Sequence, residues 1–172
     1  MAHRSIIISR RNAATGLLAL GGFLVLGCGR SDQPERESPP LTGPAASPAA
    51  ASMIVYRDPG CGCCEEWAER AREAGFKVAV TNNSDMAAVK RQHGVPQALA
   101  SCHTTLVGDY VVEGHVPLDD VKRLLKDRPG IRGIAVAGMP RGSPGMEMPD
   151  GSKDPFQIMA FDGAGRISVF QA

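Results

Sequence analysis

Cys61-Gly62-Cys63-Cys64 sets three thiols within four residues at a seam in the chain. Before it lies a short apolar run, Met53-Ile54-Val55-Tyr56, closed by Asp58-Pro59-Gly60. After it, Trp67, Ala71 and Ala74 recur on one helical face until Gly75. A strand, a tight loop and a helix are the local structures this pattern allows. Cysteines crowded in this way make a poor structural disulfide framework. Only one can reach the distant Cys102, and a Cys63–Cys64 bridge would close a strained vicinal ring. Inert buried cysteines fit no better, because Gly60 and Gly62 mark an exposed loop. The run points to sulfur chemistry.

Further elements follow. Phe76–Thr81 alternates as a second strand, and Ser84 is a good cap for a short helix carrying Met86 and Val89, which stops before Gly94-Val95-Pro96. Thr104–Val107 and Tyr110–Glu113 flank Gly108-Asp109 as a hairpin. Leu118, Val121, Leu124 and Leu125 mark a third helix with Pro117 near its first turn and Pro129-Gly130 beyond it. The predicted order is β-α-β-α-β-β-α over residues 53–130, with Cys61 and Cys64 as a Cys-x-x-Cys pair at the first helix start. That resembles the thioredoxin fold, in which the hairpin completes a four-stranded sheet. Residues 131–172 are a C-terminal extension: Ile134-Ala135-Val136, a Met/Pro/Gly loop over 138–150, and a hairpin of Phe156–Phe161 and Ile167–Phe170 about Gly163.

The first 52 residues read differently. Arg10-Arg11 precedes an apolar, glycine-rich run, 13–27, too short to span a bilayer comfortably and ending at Cys28. Val25-Leu26-Gly27-Cys28 resembles a bacterial lipobox, so 1–28 is read as a signal peptide of lipoprotein type with Cys28 as the lipidation site. Residues 29–52, rich in Pro, Ala and Ser, have no apolar periodicity and read as a disordered tether spanning roughly 25–30 Å. This implies a periplasmic domain whose only membrane attachment is a lipid. The whole chain is 43% hydrophobic and 22% charged, which excludes wholesale disorder. A net charge of +1 with 5% aromatics offers no basic stripe or stacking platform for nucleic acid.

Two readings of the thiols compete. In a thiol-disulfide oxidoreductase of the cell envelope, Cys61 would attack a disulfide and Cys64 resolve it. Glu65 and Glu66, in the first helical turn, would oppose the thiolate, and a third thiol at Cys63 invites scrambling. The same negative charge and crowded sulfur suit a soft cation, above all Cu(I). A closed zinc site is weaker, since adjacent thiols chelate one tetrahedral ion awkwardly. If Thr104–Val107 is the third strand of a thioredoxin-like sheet, Ser101-Cys102-His103 fills the loop that faces the Cys pair, where that fold usually places a cis-proline. Cys102 then adds a fourth sulfur. Met139, Met146 and Met148 lie in a Pro/Gly-broken loop with no helix face to pack, and thioethers also suit Cu(I). Met86 and Met159 fall on apolar faces and read as core. A lone loop histidine such as His115 is ordinarily a surface or capping residue.

Four ordered motifs together resemble the CopG-type copper-resistance proteins, an exported Gram-negative family: Asp58–Cys64, Ser101-Cys102-His103-Thr104, Glu113-Gly114-His115-Val116-Pro117, and Gly138-Met139-Pro140 with Gly142–Glu147. The resemblance covers nearly all of 53–172. It implies a thioredoxin-like domain whose extension contributes to a thiolate-bridged, multinuclear copper cluster, with Cys61, Cys63, Cys64 and Cys102 as its sulfurs. Met146, with Met139 or Met148, would come from the extension, and His115, with His103 behind it, would supply nitrogen. The implied function is interconversion of Cu(I) and Cu(II); the chain itself is read as a monomer. The rivals are a passive copper store or a chaperone serving an efflux system, and the envelope oxidoreductase. Sequence alone does not separate a redox enzyme from a carrier.

Overall fold

The computed structural model of the protein describes residues 51–170. The signal, tether and Cys28 readings lie outside the described residues, apart from Ala51 and Ser52. Among the described residues no helix is long and apolar enough to cross a membrane.

The elements run β1 (Ser52–Arg57), α1 (Gly62–Glu73), β2 (Lys77–Asn82), α2 (Met86–Gln92), a 3-10 turn (Gln97–Leu99), β3 (His103–Val107), β4 (Tyr110–Glu113), α3 (Leu118–Asp127), β5 (Gly133–Ala135), β6 (Met159–Phe161) and β7 (Ile167–Val169). The result is a mixed α/β fold. One seven-stranded sheet has the order β2-β1-β3-β4-β5-β6-β7. β1 pairs parallel with β2 and antiparallel with β3, so the end of β1 that feeds α1 lies beside the start of β3: Arg57 is opposite His103.

Alternation along the strands sorts the side chains to two covered faces. Met53, Val55, Val107, Val112 and Ile134 pack with Trp67, Ala68 and Ala71 of α1 and with Val121 and Leu124 of α3. Burying such side chains is worth about 1.5–3 kcal/mol each. On the opposite face Val95, Leu99, Val111, Ala135 and Phe161 form a smaller cluster, with Leu106 and Met159 against it. Met86 is half-buried, so it is a less complete core residue than its apolar face suggests.

Three expectations are corrected. The sheet has seven strands rather than four, because the strands expected in the extension join it: β5 pairs parallel with β4, and the hairpin of β6 and β7 continues the sheet. Those strands cover what would otherwise be an open edge at β4. The strand expected from Phe156 begins only at Met159, since its partner β5 offers three residues to pair with. α2 is capped by Asp85, not Ser84; the Asp85 carboxylate accepts from the Ala88 amide at 2.9 Å, and the Asn83 side chain accepts from the Asp85 amide at 2.8 Å.

Gly133 is what lets the extension dock. A Cβ there would overlap the Val111 carbonyl oxygen and lie 2.7 Å from the Phe161 ring, so only glycine fits between β4 and β6. Gly133→Ala should therefore destabilise the protein by about 1–3 kcal/mol in urea denaturation. An unchanged midpoint would mean that β5 is not held as described.

Candidate metal centre

α1 begins at Gly62 with Cys61 as its cap, and no side chain satisfies the first-turn amides. The loop before it is held by Arg57, whose guanidinium donates to the Cys61 carbonyl at 3.1 Å and the Pro59 carbonyl at 3.4 Å. Arg57 also pairs with Glu65 at 2.9 Å, and Arg72 reaches the same carboxylate at 3.4 Å. Glu65 is thus tied to two cations, and its repulsion of a nearby thiolate is smaller than its sequence position implies. Glu66 is exposed.

Cys61, Cys63, Cys64 and Cys102 bring their sulfurs within 4.8 Å of one another. Cys61 and Cys64 are joined in a disulfide, while Cys63 and Cys102 are free. Cys63 Sγ lies 3.6 Å from Cys61 Sγ and 3.9 Å from Cys102 Sγ. Cys102, 38 residues beyond Cys64 in the chain, arrives because β3 starts beside the end of β1.

Cys102 also belongs to a second group with His103 and His115. Both imidazoles are fully buried, so His115 is no surface residue. Its Nδ1 lies 2.9 Å from the Pro144 carbonyl oxygen, which can only accept. The proton therefore sits on Nδ1, and the bare Nε2 faces Cys102 Sγ at 2.9 Å. An imidazole whose tautomer is fixed by a carbonyl, with its other nitrogen aimed at sulfur, has the arrangement metal-ligating histidines use. His103 differs: its Nδ1 is 3.4 Å from Cys102 Sγ, and its Nε2 has no partner. Its ring lies edge-on to His115 and tilted against Trp67, both at 4.9 Å. Trp67 is fixed in turn by donating to the Val116 carbonyl at 3.0 Å.

Burial governs the protonation states. It pushes the Cys102 thiol up to about 12, helped by the nearby Cys63 charge. Burial pulls His115 down, against the Pro144 carbonyl and Glu147, which pull it back up. His103 is driven well below the usual imidazole range, first by burial and then by His115 and Lys90. At neutral pH Cys102 is a thiol that gives up its proton only to a metal, and the two imidazoles are neutral, with the bare Nε2 of His115 ready to bind without losing one.

Sequence reasoning missed Glu113 and Lys90. The fully buried Glu113 carboxylate accepts from Lys90 Nζ at 2.5 Å, the Ser101 amide at 2.6 Å and the Thr104 hydroxyl at 2.7 Å. It grips Cys102's loop from both sides. Burial raises Glu113, with Lys90, Thr104 and Ser101 pulling it back. The one signal in the sequence was an acid closing the apolar strand Tyr110–Glu113.

The extension straps the helix start. Gly145 has φ 83°, and a Cβ there would lie 2.8 Å from the Trp67 amide and 2.9 Å from the Cys63 carbonyl. Glu147 pairs with Arg70 at 2.8 Å. Met146, between these anchors, is half-buried. Met148 is 37% exposed; Met139, 55% exposed, lines a separate cleft of about 750 Å³ with Phe156 and Met159.

This fold and donor set define a mixed α/β protein with a thiolate and imidazole site able to bind metal. Residues 99–146 match a family described as a protein of unknown function, DUF411. No curated protein matches the chain. Two solved structures, titled copper resistance protein CopG Form 2 and Form 1, are 42% and 43% identical to it, each with a TM-score of 0.66. Each alignment covers 70% of this chain, with 95% and 94% of those chains respectively. The chain belongs to the CopG copper resistance family.

The buried imidazoles set a pH dependence for the metal-free protein. Held below their ordinary value of 6.5, they leave the folded state with fewer protons than the unfolded one, so their stability is complete above 6.5 and is lost as pH falls below it. Glu113, raised above 4.5, acts in the opposite sense, one carboxyl against two imidazoles. The thermal midpoint should fall from pH 7 to pH 5, and less steeply in His103→Gln. A flat or rising profile would contradict the neutral, buried assignment.

Proposed function

We propose that the chain is an exported copper-binding protein of copper resistance that interconverts Cu(I) and Cu(II). Cys61, Cys63, Cys64 and Cys102, as free thiols, hold copper in a thiolate-bridged cluster; His115 supplies nitrogen and Met146 a thioether. The observation that carries this reading is the meeting of four sulfurs with the bare Nε2 of His115. Sulfur and imidazole together favour copper over hard cations, and sulfur favours its reduced state. Membership of the CopG family supports the metal's identity. The order of elements through α3 supports a thioredoxin-like scaffold, and the extension reaches the site through the Pro144 carbonyl on His115. Met139, on its separate cleft, and Met148 stand further out in the extension, and His103 stands behind Cys102. Export and anchoring at Cys28 rest on the lipobox-like Val25–Cys28.

A second reading, disulfide exchange on other envelope proteins, draws on the Cys61–Cys64 disulfide. It predicts insulin reduction by the metal-free protein that is indifferent to Cys102 and Met146.

Reduced protein titrated with Cu(I) without oxygen should retain more than one copper per chain after gel filtration and quench the fluorescence of Trp67, its single tryptophan. Cys102→Ser should weaken retention by roughly 10–100-fold, the range lost even when a ligand's outer partner is removed. Met146→Leu keeps the volume and should lower retention in the same direction, by less. One tightly held zinc, with copper excluded, would overturn the proposal.

A further inference from the structure

Copper interconversion needs a partner that gives or takes electrons, and the site holds a cysteine pair able to cycle between dithiol and disulfide. Of its four cysteines, two are paired and two are free: the disulfide takes Cys61 and Cys64, leaving Cys63 and Cys102 beside the bare nitrogen of His115. Cys63 bridges the two sets, 3.6 Å from Cys61 Sγ and 3.9 Å from Cys102 Sγ. A metal held by Cys63 and Cys102 is therefore next to the redox-active pair.

We infer that the Cys61–Cys64 pair is the protein's electron donor: as a dithiol it reduces two Cu(II) ions to Cu(I) and closes into the disulfide, while Cys63, Cys102 and His115 keep their hold on copper. The inference rests on the copper reading above and adds its direction, stoichiometry and electron source. The S–H bonds of Cys61 and Cys64 break and one S–S bond forms between them. Their two electrons pass singly to two Cu(II), which are reduced, and two protons leave to solvent. One turn needs no other reactant. A second turn needs an external dithiol to reopen the bridge by exchange.

The assignment of roles follows from the structure. Cys61 and Cys64 stand three apart at a helix start, the spacing of thioredoxin-type redox pairs. Cys102 is engaged instead by both histidines, at 2.9 and 3.4 Å. The donors that remain after the bridge closes are two sulfurs and a nitrogen, a set that suits the Cu(I) product. Arg57 holds the Cys61 carbonyl, and the strap backs the Cys63 carbonyl, so the loop backbone is braced on both sides of the reacting sulfur.

The test uses the full chain, reduced with a phosphine, freed of it, and titrated with a Cu(II) salt without oxygen. The Cu(II) paramagnetic signal should vanish for the first two equivalents per chain, two thiols should be lost, and peptide mass mapping should find the new bridge between Cys61 and Cys64. Cys64→Ser should slow the loss of signal by roughly ten-fold or more, since no resolving thiol remains. If that variant fails to fold, the wild-type mass map still decides. A chain that retains Cu(I) yet leaves Cu(II) paramagnetic, or closes a bridge between Cys63 and Cys102, overturns this step and leaves the copper reading standing. A chain that retains copper in neither state overturns the reading itself.

Discussion

The buried carboxylate of Glu113 is the constraint on which the site depends. Placing a charge at zero exposure carries a desolvation penalty of several kcal/mol, which only good geometry and full hydrogen bonding offset. Lys90, Thr104 and the Ser101 amide supply both. The consequence lies one residue away. With Ser101 and Thr104 both bonded to one carboxylate, the two residues between them have little freedom, and those are Cys102 and His103. Glu113 also ends β4, two residues before His115. A single buried ion pair thus holds the segment that carries Cys102 and His103, and closes the strand from which the chain runs on to His115.

Other parts of the site are held by backbone rather than charge. His115 owes its tautomer to the Pro144 carbonyl, and Cys63 owes its close neighbour to the absence of a side chain at Gly145. Both contacts come from the extension, so residues beyond 131 are part of the site's construction. The DUF411 match agrees with this division of labour: it runs from Leu99 to Met146, through Cys102, Glu113, His115 and Pro144, and begins after the Cys-x-Cys-Cys loop.

What could be read in the sequence tracks the length over which a signal repeats. The helical face of Trp67 and Ala71, the hairpin about Gly108-Asp109, and the apolar stripe of α3 each span enough residues to show a period, and each is found where expected. The hairpin of β6 and β7 about Gly163 was also legible, if longer than it proved, but the joining of β5, β6 and β7 to the main sheet was not, because it depends on Gly133, whose lack of a side chain says nothing about its neighbours. Cys102 was legible because strand order alone brings β3 beside β1. The Glu113–Lys90 pair was not, because its partners lie 23 residues apart on different elements. The choice of Cys61 and Cys64 for the bridge was open among crowded thiols, and the burial of His115 was hidden because nothing in its sequence neighbourhood announces the strap that covers it.

The disulfide takes two of the four sulfurs that a metal at this site would use. A cysteine in a disulfide has no thiolate to offer, so under the proposed electron transfer each pair of electrons released by Cys61 and Cys64 would also withdraw two ligands. Redox state and metal capacity would then be linked through shared atoms. Cys63 and Cys102 stay outside that exchange, one beside the bridge and the other against two neutral imidazoles. The fold makes the four cysteines unequal: two come from a loop and helix start whose spacing favours a bridge, and one comes from a strand end locked by a buried carboxylate.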